Sequence, residues 1–458
     1  MLSALGERIS AVFRATAPDP FVFAVLLTGA TVLLVLGLTD AGVGEVVGFW
    51  SHPSQGVWRF LGFSMQMCMI LVTGHALAAS PPVRRGLGAL SAVPKSPAQG
   101  AALVAFVAAS LGVLNWGLGL VGGALIARDV GRSLEARGVR AHYPLLAAAG
   151  YVGLLVWHGG FSGTAPLKVT SETQIADVFP PGVGLAPIGL EHTILSPMNL
   201  VATGGLLVLA PLVMALLTPK DESKREPIRA FVPARAEQEE KIEAKAFVPR
   251  MLEDTPIVTL VLVALLGAWA LRFYFPGGGV PSGVRTLDPN TVNLTMLMLG
   301  LILHGTPARY VRAVDDAARG CAGIMLQFPL YAGIMGMMHQ SGLTAQLAGA
   351  LSELADARTL PIATFVSAGV VNLFIPSGGG QWAVQGPIAV EAAQNAGVPI
   401  PKMIMSVAYG DQLTNMLQPF WALPLLAITG VRARDIVGYT ALLMVVAGAW
   451  LTACLLIF

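Results

Sequence analysis

Nine apolar segments of near 20 residues punctuate the chain, at about 20–39, 57–79, 143–165, 194–217, 255–275, 290–306, 320–339, 403–427 and 436–457. A helix rises 1.5 Å per residue, so about 20 residues cross a hydrocarbon core roughly 30 Å thick. Nine such runs in one chain point to a bilayer as solvent. Composition agrees: 55% of the residues are hydrophobic and 12% charged, against about 25% charged in soluble domains. The predicted fold is an all-α polytopic membrane protein, with membrane lipid as a constant partner. A formal charge of +2 gives no reason to expect nucleic acid. Cys68, Cys321 and Cys454 stand far apart in apolar runs and read as small core residues.

Residues 1 to 18 carry Glu7, Arg8 and Arg14 on a short amphipathic stretch. The run from Phe21 to Leu38 is too long for the apolar region of a cleaved signal and lacks a small-x-small exit, so it reads as the first membrane helix.

Two apolar stretches are too long for one crossing. Residues 97–127 and 360–394 would measure roughly 46 and 52 Å as single helices. Each is interrupted at its centre, by Asn115-Trp116-Gly117-Leu118-Gly119 and by Pro376-Ser377-Gly378-Gly379-Gly380. Both are expected to be re-entrant hairpins with half-length legs, giving about nine transmembrane helices plus two hairpins.

Charge placement orients them. With the N-terminus in the cytoplasm and the C-terminus outside, roughly 22 basic residues fall inside. Both flanks of the first hairpin are basic (Arg84, Arg85, Lys95; Arg128, Arg132), so it opens from the cytoplasm. The second hairpin has sparse flanks and opens from outside. The expectation is a multi-pass protein of the cell (inner) membrane, with an N-terminal half at 1–217, a charged cytoplasmic linker at 218–254 and a C-terminal half at 255–458. The linker interleaves Lys, Arg and Glu with Pro219, Pro227 and Pro233 and reads as flexible.

The halves repeat weakly but in order. Met65-Gln66-Met67 matches Leu326-Gln327-Phe328, and Gly112-Val113-Leu114-Asn115 matches Gly369-Val370-Val371-Asn372. Ile126 and Asp129 match Ile388 and Glu391, and Phe161 with Pro166-Leu167 matches Phe420 with Pro424-Leu425. On the charge-derived topology the copies insert oppositely. Inverted repeats with interrupted helices at matching positions point to a secondary transporter with a midplane site.

Backbone that leaves helix inside a membrane needs hydrogen-bond partners. The interruptions at 115–119, 158–164, 375–382 and 410–415 are therefore the candidate site. Half-helix N-termini suit a carboxylate, and free carbonyls suit Na⁺. The expected substrate contacts are Asn115, Gly117, Ser162, Gly163, Thr164, Asn372, Ser377, Gly378, Gly379, Gly380, Gln381 and Asn415. The expected coupling-ion contacts are Asp411, Thr414, Asn115 and Asn372. Single glycines also serve close packing; the triple glycine beside Pro376 and Ser377 reads as a binding tip. Asp411 is the acid placed well inside a span, at a cost of roughly 2.5–3.5 kcal/mol, so it is expected to coordinate a cation or carry a proton. His158 adjoins a broken helix, where substrate contact and packing both remain open. No Lys or Arg falls at a predicted cavity position, which suits one carboxylate on a short apolar tail better than a dicarboxylate or phosphate. No cofactor is expected beyond Na⁺ as a coupling ion, and no catalytic residues: an intramembrane hydrolase would want a nucleophile with a His or second acid at close helical spacing.

At "DPFVFAVLLT" (19–28), "MQM" (65–67), "LVTGHALA" (71–78), "NWGLGL" (115–120), "GGFSG" (159–163), "TVNL" (291–294), "IPSGGGQWAVQGP" (375–387) and "QPFWALPLLAI" (418–428), the sequence resembles the short-chain fatty acid transporter (AtoE-type) family, within the ion-transporter superfamily. The resemblance runs in order through nearly the whole chain. It implies carriage of monocarboxylates such as acetoacetate or butyrate, a homodimer and elevator-like movement. The alternatives are another small anion (a dicarboxylate or peptide-like acid) on the same scaffold, or a passive channel.

Overall fold

A computed structural model describes residues 20–176, 185–232, 246–276, 283, 289–343, 346, 356–374 and 378–458. The stretch with Glu7, Arg8 and Arg14, and the tip residues Pro376 and Ser377, lie outside these described residues. Among them every regular element is helical. The order is α1 (Pro20–Leu38), α2 (Val43–Ser51), α3 (Leu61–Ala79), α4 (Pro81–Ser91), α5 (Pro97–Leu114) and α6 (Trp116–Ala136). Next, α7 (Tyr143–Gly150) runs into 3₁₀ turns at Tyr151–Leu155 and Trp157–Gly159, a single turn α8 (Thr164–Leu167), and α9 (Pro197–Leu216). Beyond the linker come α10 (Phe247–Glu253), α11 (Ile257–Tyr274), α12 (Pro289–His304), α13 (Pro307–Ala318) and α14 (Ala322–Gln340). They are followed by α15 (Leu360–Phe374), α16 (Gly378–Ala396), α17 (Ile400–Thr414), a 3₁₀ turn at Asn415–Leu417, α18 (Pro419–Thr429) and α19 (Ala433–Ile457).

Five segments among the described residues are long and apolar enough to cross a bilayer: Pro97–Leu114, Tyr143–Leu167, Pro197–Leu216, Phe247–Tyr274 and Ala433–Ile457. The bent pair Pro307–Cys321 and Met325–Gln340, at 45°, adds a sixth. The protein is thus multi-pass. The expected first span is present as the 19 residues of α1, whereas the span expected at 290–306 appears as a 16-residue helix, Pro289–His304.

The first hairpin turns on one residue. Asn115 (φ −158°, ψ 131°) ends α5 with its N–H on the Leu111 carbonyl, and its side chain caps α6 by accepting from the Leu118 N–H at 2.9 Å. The legs differ from expectation. At 18 and 21 residues they measure about 27 and 31 Å, close to a full hydrocarbon thickness rather than half. The apolar run ends near residue 127, but the helix continues to Ala136 with Val130, Gly131 and Leu134 buried, and Asp129 pairs with Arg84 at 3.1 Å.

Glycines let backbones touch in both halves. A methyl on Gly153 would lie 2.8 Å from the Ala108 carbonyl oxygen, and one on Gly112 2.4 Å from the Gly153 oxygen. In the second half a methyl on Gly410 would lie 2.2 Å from the Phe365 oxygen and 2.8 Å from the Gly369 nitrogen. Gly112 and Gly369, matched in the sequence comparison of the halves, each approach another glycine, Gly153 and Gly410. Further α5–α6 and α6–α7 approaches run through Gly119 and Gly123. The second hairpin's legs meet near its tip, where the Gln381 Nε2 donates to the Ala368 carbonyl at 2.8 Å and the Gln385 Nε2 to the Ser367 Oγ at 2.8 Å. Along its length, α15 lies against α17.

From Trp116 to Ala127, α6 is buried without interruption, whereas α11 exposes Leu260, Val261, Leu265 and Leu271. Apolar side chains turned outward on this scale need lipid or another apolar surface. The charged linker is not uniformly solvated. Within 219–232, the Glu226 N–H donates to His142 Nδ1 (3.1 Å), the Tyr143 N–H donates to the Glu226 carbonyl (2.9 Å), and Ile228 is buried. Ser223 donates to Asp221 through both its N–H and Oγ–H, which holds that carboxyl below its ordinary range. Residues 233–245 lie outside the described residues.

Candidate functional site

The break in the first half is a run of backbone groups that a helix would have satisfied. Those at His158, Gly159, Phe161 and Ala165 find other partners. The Gln412 Oε1 accepts from the His158 and Gly159 N–H groups, both at 3.1 Å. The Asn199 Nδ2 donates to the Gly159 carbonyl at 2.8 Å, and the Phe161 N–H donates to the Val113 carbonyl at 2.8 Å. The Ala165 N–H donates to His158 Nε2 at 2.9 Å. Leaving such groups unpaired in a membrane interior costs several kcal/mol each, so these contacts fix the shape of the break.

The second break is supported in return. The Tyr151 hydroxyl lies 2.9 Å from the Asn415 carbonyl and 3.1 Å from that of Gln418. The Asn372 Nδ2 is within 2.8–2.9 Å of the Asp411 carbonyl, Thr414 Oγ1 and Asn415 Oδ1, and the Gln418 Nε2 donates to the Asn372 carbonyl at 2.6 Å. The helices broken in the two halves therefore cap each other. At their junction His158 Nδ1 stands 3.4 Å from Asp411 Oδ1, both side chains being almost fully buried.

The predicted residues divide accordingly. Asn372, Asp411, Thr414 and Asn415 form one cluster. Asn115 and Ser162 meet at the first hairpin turn, where Ser162 Oγ accepts from the Trp116 N–H at 3.0 Å. Two N–H groups at the start of α6 are thus already taken by side chains. Gly378 faces the first break: a methyl there would lie 2.8 Å from Trp157, 3.1 Å from His158 and 3.2 Å from Thr164 Oγ1. Gly117 packs on Ile70 of α3, and Gly163 turns tightly against the His158 carbonyl. Gln381 ties the second hairpin's legs together. Gly379 and Gly380 begin α16; Ser377 is outside the described residues.

Asn199, Tyr151 and Tyr409 were absent from the sequence-based set, and Gln412 lay within the 410–415 interruption without an assigned contact. Asn199 is a hub, since its Oδ1 also accepts from Thr203 Oγ1 (2.9 Å) and the Tyr409 hydroxyl (3.0 Å). An asparagine four residues before a threonine in an otherwise apolar span was its available signal.

Several buried polar atoms at this junction have no protein partner: the donors Asn115 Nδ2, Trp157 Nε1, Gln412 Nε2 and Asn415 Nδ2, and the oxygens Asn372 Oδ1, Asp411 Oδ2 and Gln418 Oε1. Buried polar atoms are rarely left unpaired, and their concentration here is what a polar ligand would satisfy. Among the described residues there is no cluster of three or more His, Cys, Asp or Glu able to hold a metal ion. The carboxylate, amide and hydroxyl oxygens are hard donors of the kind Na⁺ takes.

The sequence model described as short chain fatty acid transporter matches residues 1–458. Two relatives carry short-chain fatty acid transporter as their name. One, from Escherichia coli K12, is 41% identical over 428 residues, covering 93% of each chain. The other, from Haemophilus influenzae, is 37% identical over 428 residues, covering 92% of each. The Alcanivorax borkumensis YdaH transporter aligns in structure over 96% of this chain and 97% of its own, with 16% identity and a TM-score of 0.49.

Proposed function

The chain belongs to the short chain fatty acid transporter family, and on that premise we propose that it is a secondary active carrier of short-chain monocarboxylates such as acetoacetate or butyrate. The observation that carries this reading is the junction itself. It offers unpaired amide, indole and carboxylate atoms around His158 and Asp411. Among the described residues no lysine or arginine pairs with them. One carboxylate can be held by neutral donors there; a second charge on the substrate would be buried without a counter-charge.

A cation travels with the substrate in this reading. The oxygens of Asp411, Asn372 and Thr414 suit Na⁺, and the His158–Asp411 pair suits H⁺. The glycine-bonded unit of α5–α8 with α15–α18 would move as one body past the surrounding helices, as an elevator, in a homodimer. Opposed insertion of the halves, a cytoplasmic N-terminus and an external C-terminus in the cell inner membrane belong to the same reading. The distribution of basic residues supports it.

The test is uptake of labelled acetoacetate by the purified protein in liposomes, with protein-free liposomes subtracted. Saturable uptake that butyrate competes and succinate does not supports the reading. Competition by succinate or by a peptide-like acid would reassign the substrate, and flux without saturation would indicate a channel.

A further inference from the structure

We infer that the carboxylate of the carried acid is held by the Trp157 indole N–H, beside the side-chain NH₂ of Gln412; the inference rests on the carrier reading above and names the donors of that site. Two indoles show the contrast. The half-buried Trp450 spends its N–H on the Ala202 carbonyl at 2.9 Å, as a tryptophan packed among apolar groups ordinarily does. Trp157 is 5% exposed, and its Nε1 has no partner. An indole nitrogen is a donor only, so no change of tautomer satisfies it from within. Rotation is closed as well. The ring is stacked on that of His158, with centroids 4.4 Å and planes 24° apart. Its far edge lies against Gly378, where a methyl would come within 2.8 Å of Cη2.

Gln412 supplies a second donor whose direction is fixed. Its Oε1 accepts from the His158 and Gly159 N–H groups. The two ends of the amide are therefore assigned by their partners, and the NH₂ is the end left over. That NH₂ is fully buried and also has no protein partner. Both donors belong to one turn, because the carboxamide is bonded to the backbone of the residue that follows Trp157.

Buried donors without acceptors destabilise the empty site. An acceptor that carries charge removes that cost best, since hydrogen bonds to an ionised group are about twice as strong as neutral ones. A carboxylate offers two such oxygens. A hydrocarbon tail offers none, so the head of the acid, not its chain, belongs at Trp157.

The experiment compares the half-saturating concentration and maximal rate of butyrate uptake in liposomes, with protein-free liposomes subtracted. The proteins are the wild type, Trp157→Phe and, as a control at an exposed tryptophan, Trp58→Phe. Butyrate has no polar group besides its carboxylate. Phenylalanine keeps a ring on His158 and removes the N–H. In Trp157→Phe the half-saturating concentration rises at least about tenfold, equally for propionate, butyrate and pentanoate. The maximal rate is little changed, the signature of a contact kept from binding through transport. Trp58→Phe behaves as the wild type. A rise that grows with chain length would place the ring against the tail, and an unchanged half-saturating concentration would leave the indole out of the site. Either result overturns the inference while the carrier reading stands.

A second measurement uses the wild type labelled with ¹⁵N at its eight tryptophans. The indole N–H resonance missing from Trp157→Phe moves downfield as butyrate saturates the protein, because a hydrogen bond to a carboxylate deshields the proton. A spectrum in which no indole resonance moves overturns the inference, whether or not the variant folds. No saturable carriage of any carboxylate by the wild type would instead remove the carrier reading, and this inference with it.

Discussion

Gln412 on α17 caps His158: its side-chain carbonyl accepts the His158 backbone N–H at 3.1 Å, and the Gly159 N–H at the same distance. A break in one half of the chain is thereby held open by a side chain from the break in the other. The two interruptions form a single structure, and neither break keeps its geometry alone.

Gln412→Ala should lower both stability and flux. It leaves two buried N–H groups unpaired, at about 1–3 kcal/mol each. Thermal unfolding in detergent should show a clear drop, and uptake should fall more than tenfold. An unchanged midpoint would mean the break is satisfied in another way.

The glycine contacts predict equal sensitivity in the two halves. Gly153→Ala and Gly410→Ala should each cost about 1–3 kcal/mol or more, because the methyl meets backbone that cannot yield. Gly204→Ala, with nothing within 4 Å of the added methyl, should be neutral or slightly stabilising through helix propensity. Detergent melting curves of the three variants make the comparison.

Asn199→Ala should reduce uptake strongly without changing substrate preference, since Asn199 shapes the break through the Gly159 carbonyl. Tyr409→Phe removes one of the hydrogen bonds to Asn199 and should cost about 1 kcal/mol. Competition profiles of the two variants should match the wild type; an altered profile in either would make Asn199 a substrate contact.

The docked part of the linker makes its own prediction. Ile228→Ser should destabilise by about 1–3 kcal/mol through lost burial, whereas Arg229→Ala, which removes an exposed pair with Glu135, should change stability by less than about 1 kcal/mol. Melting curves separate the two.

Much of this architecture was legible in the sequence. The apolar runs, their central interruptions and the Gly112/Gly369 correspondence needed only hydropathy and the positions of glycine, proline and asparagine. The hairpin legs were misjudged because the apolar run stops where the helix does not: Arg128, Asp129 and Arg132 end one without ending the other. The linker's Ile228 and Phe231 were apolar residues lost in a charged segment. The capping of each break was not legible. Gln412 and His158, or Tyr151 and Asn415, are brought together only by tertiary packing, and no local spacing encodes that pairing. His158 shows the same limit: nothing near it in sequence points to Asp411, which packing brings within 3.4 Å of its ring.

The central claim is that Asp411, buried at the meeting of the two breaks, belongs to the transport site. Uptake of labelled acetoacetate by Asp411→Asn, beside Glu391→Gln as a peripheral control, tests it most directly under separate Na⁺ and pH gradients. The account predicts that coupled uptake by Asp411→Asn falls at least about a hundredfold, the scale of 2.7 kcal/mol, while Glu391→Gln transports normally. Gradient-driven accumulation by Asp411→Asn at the wild-type rate would contradict it.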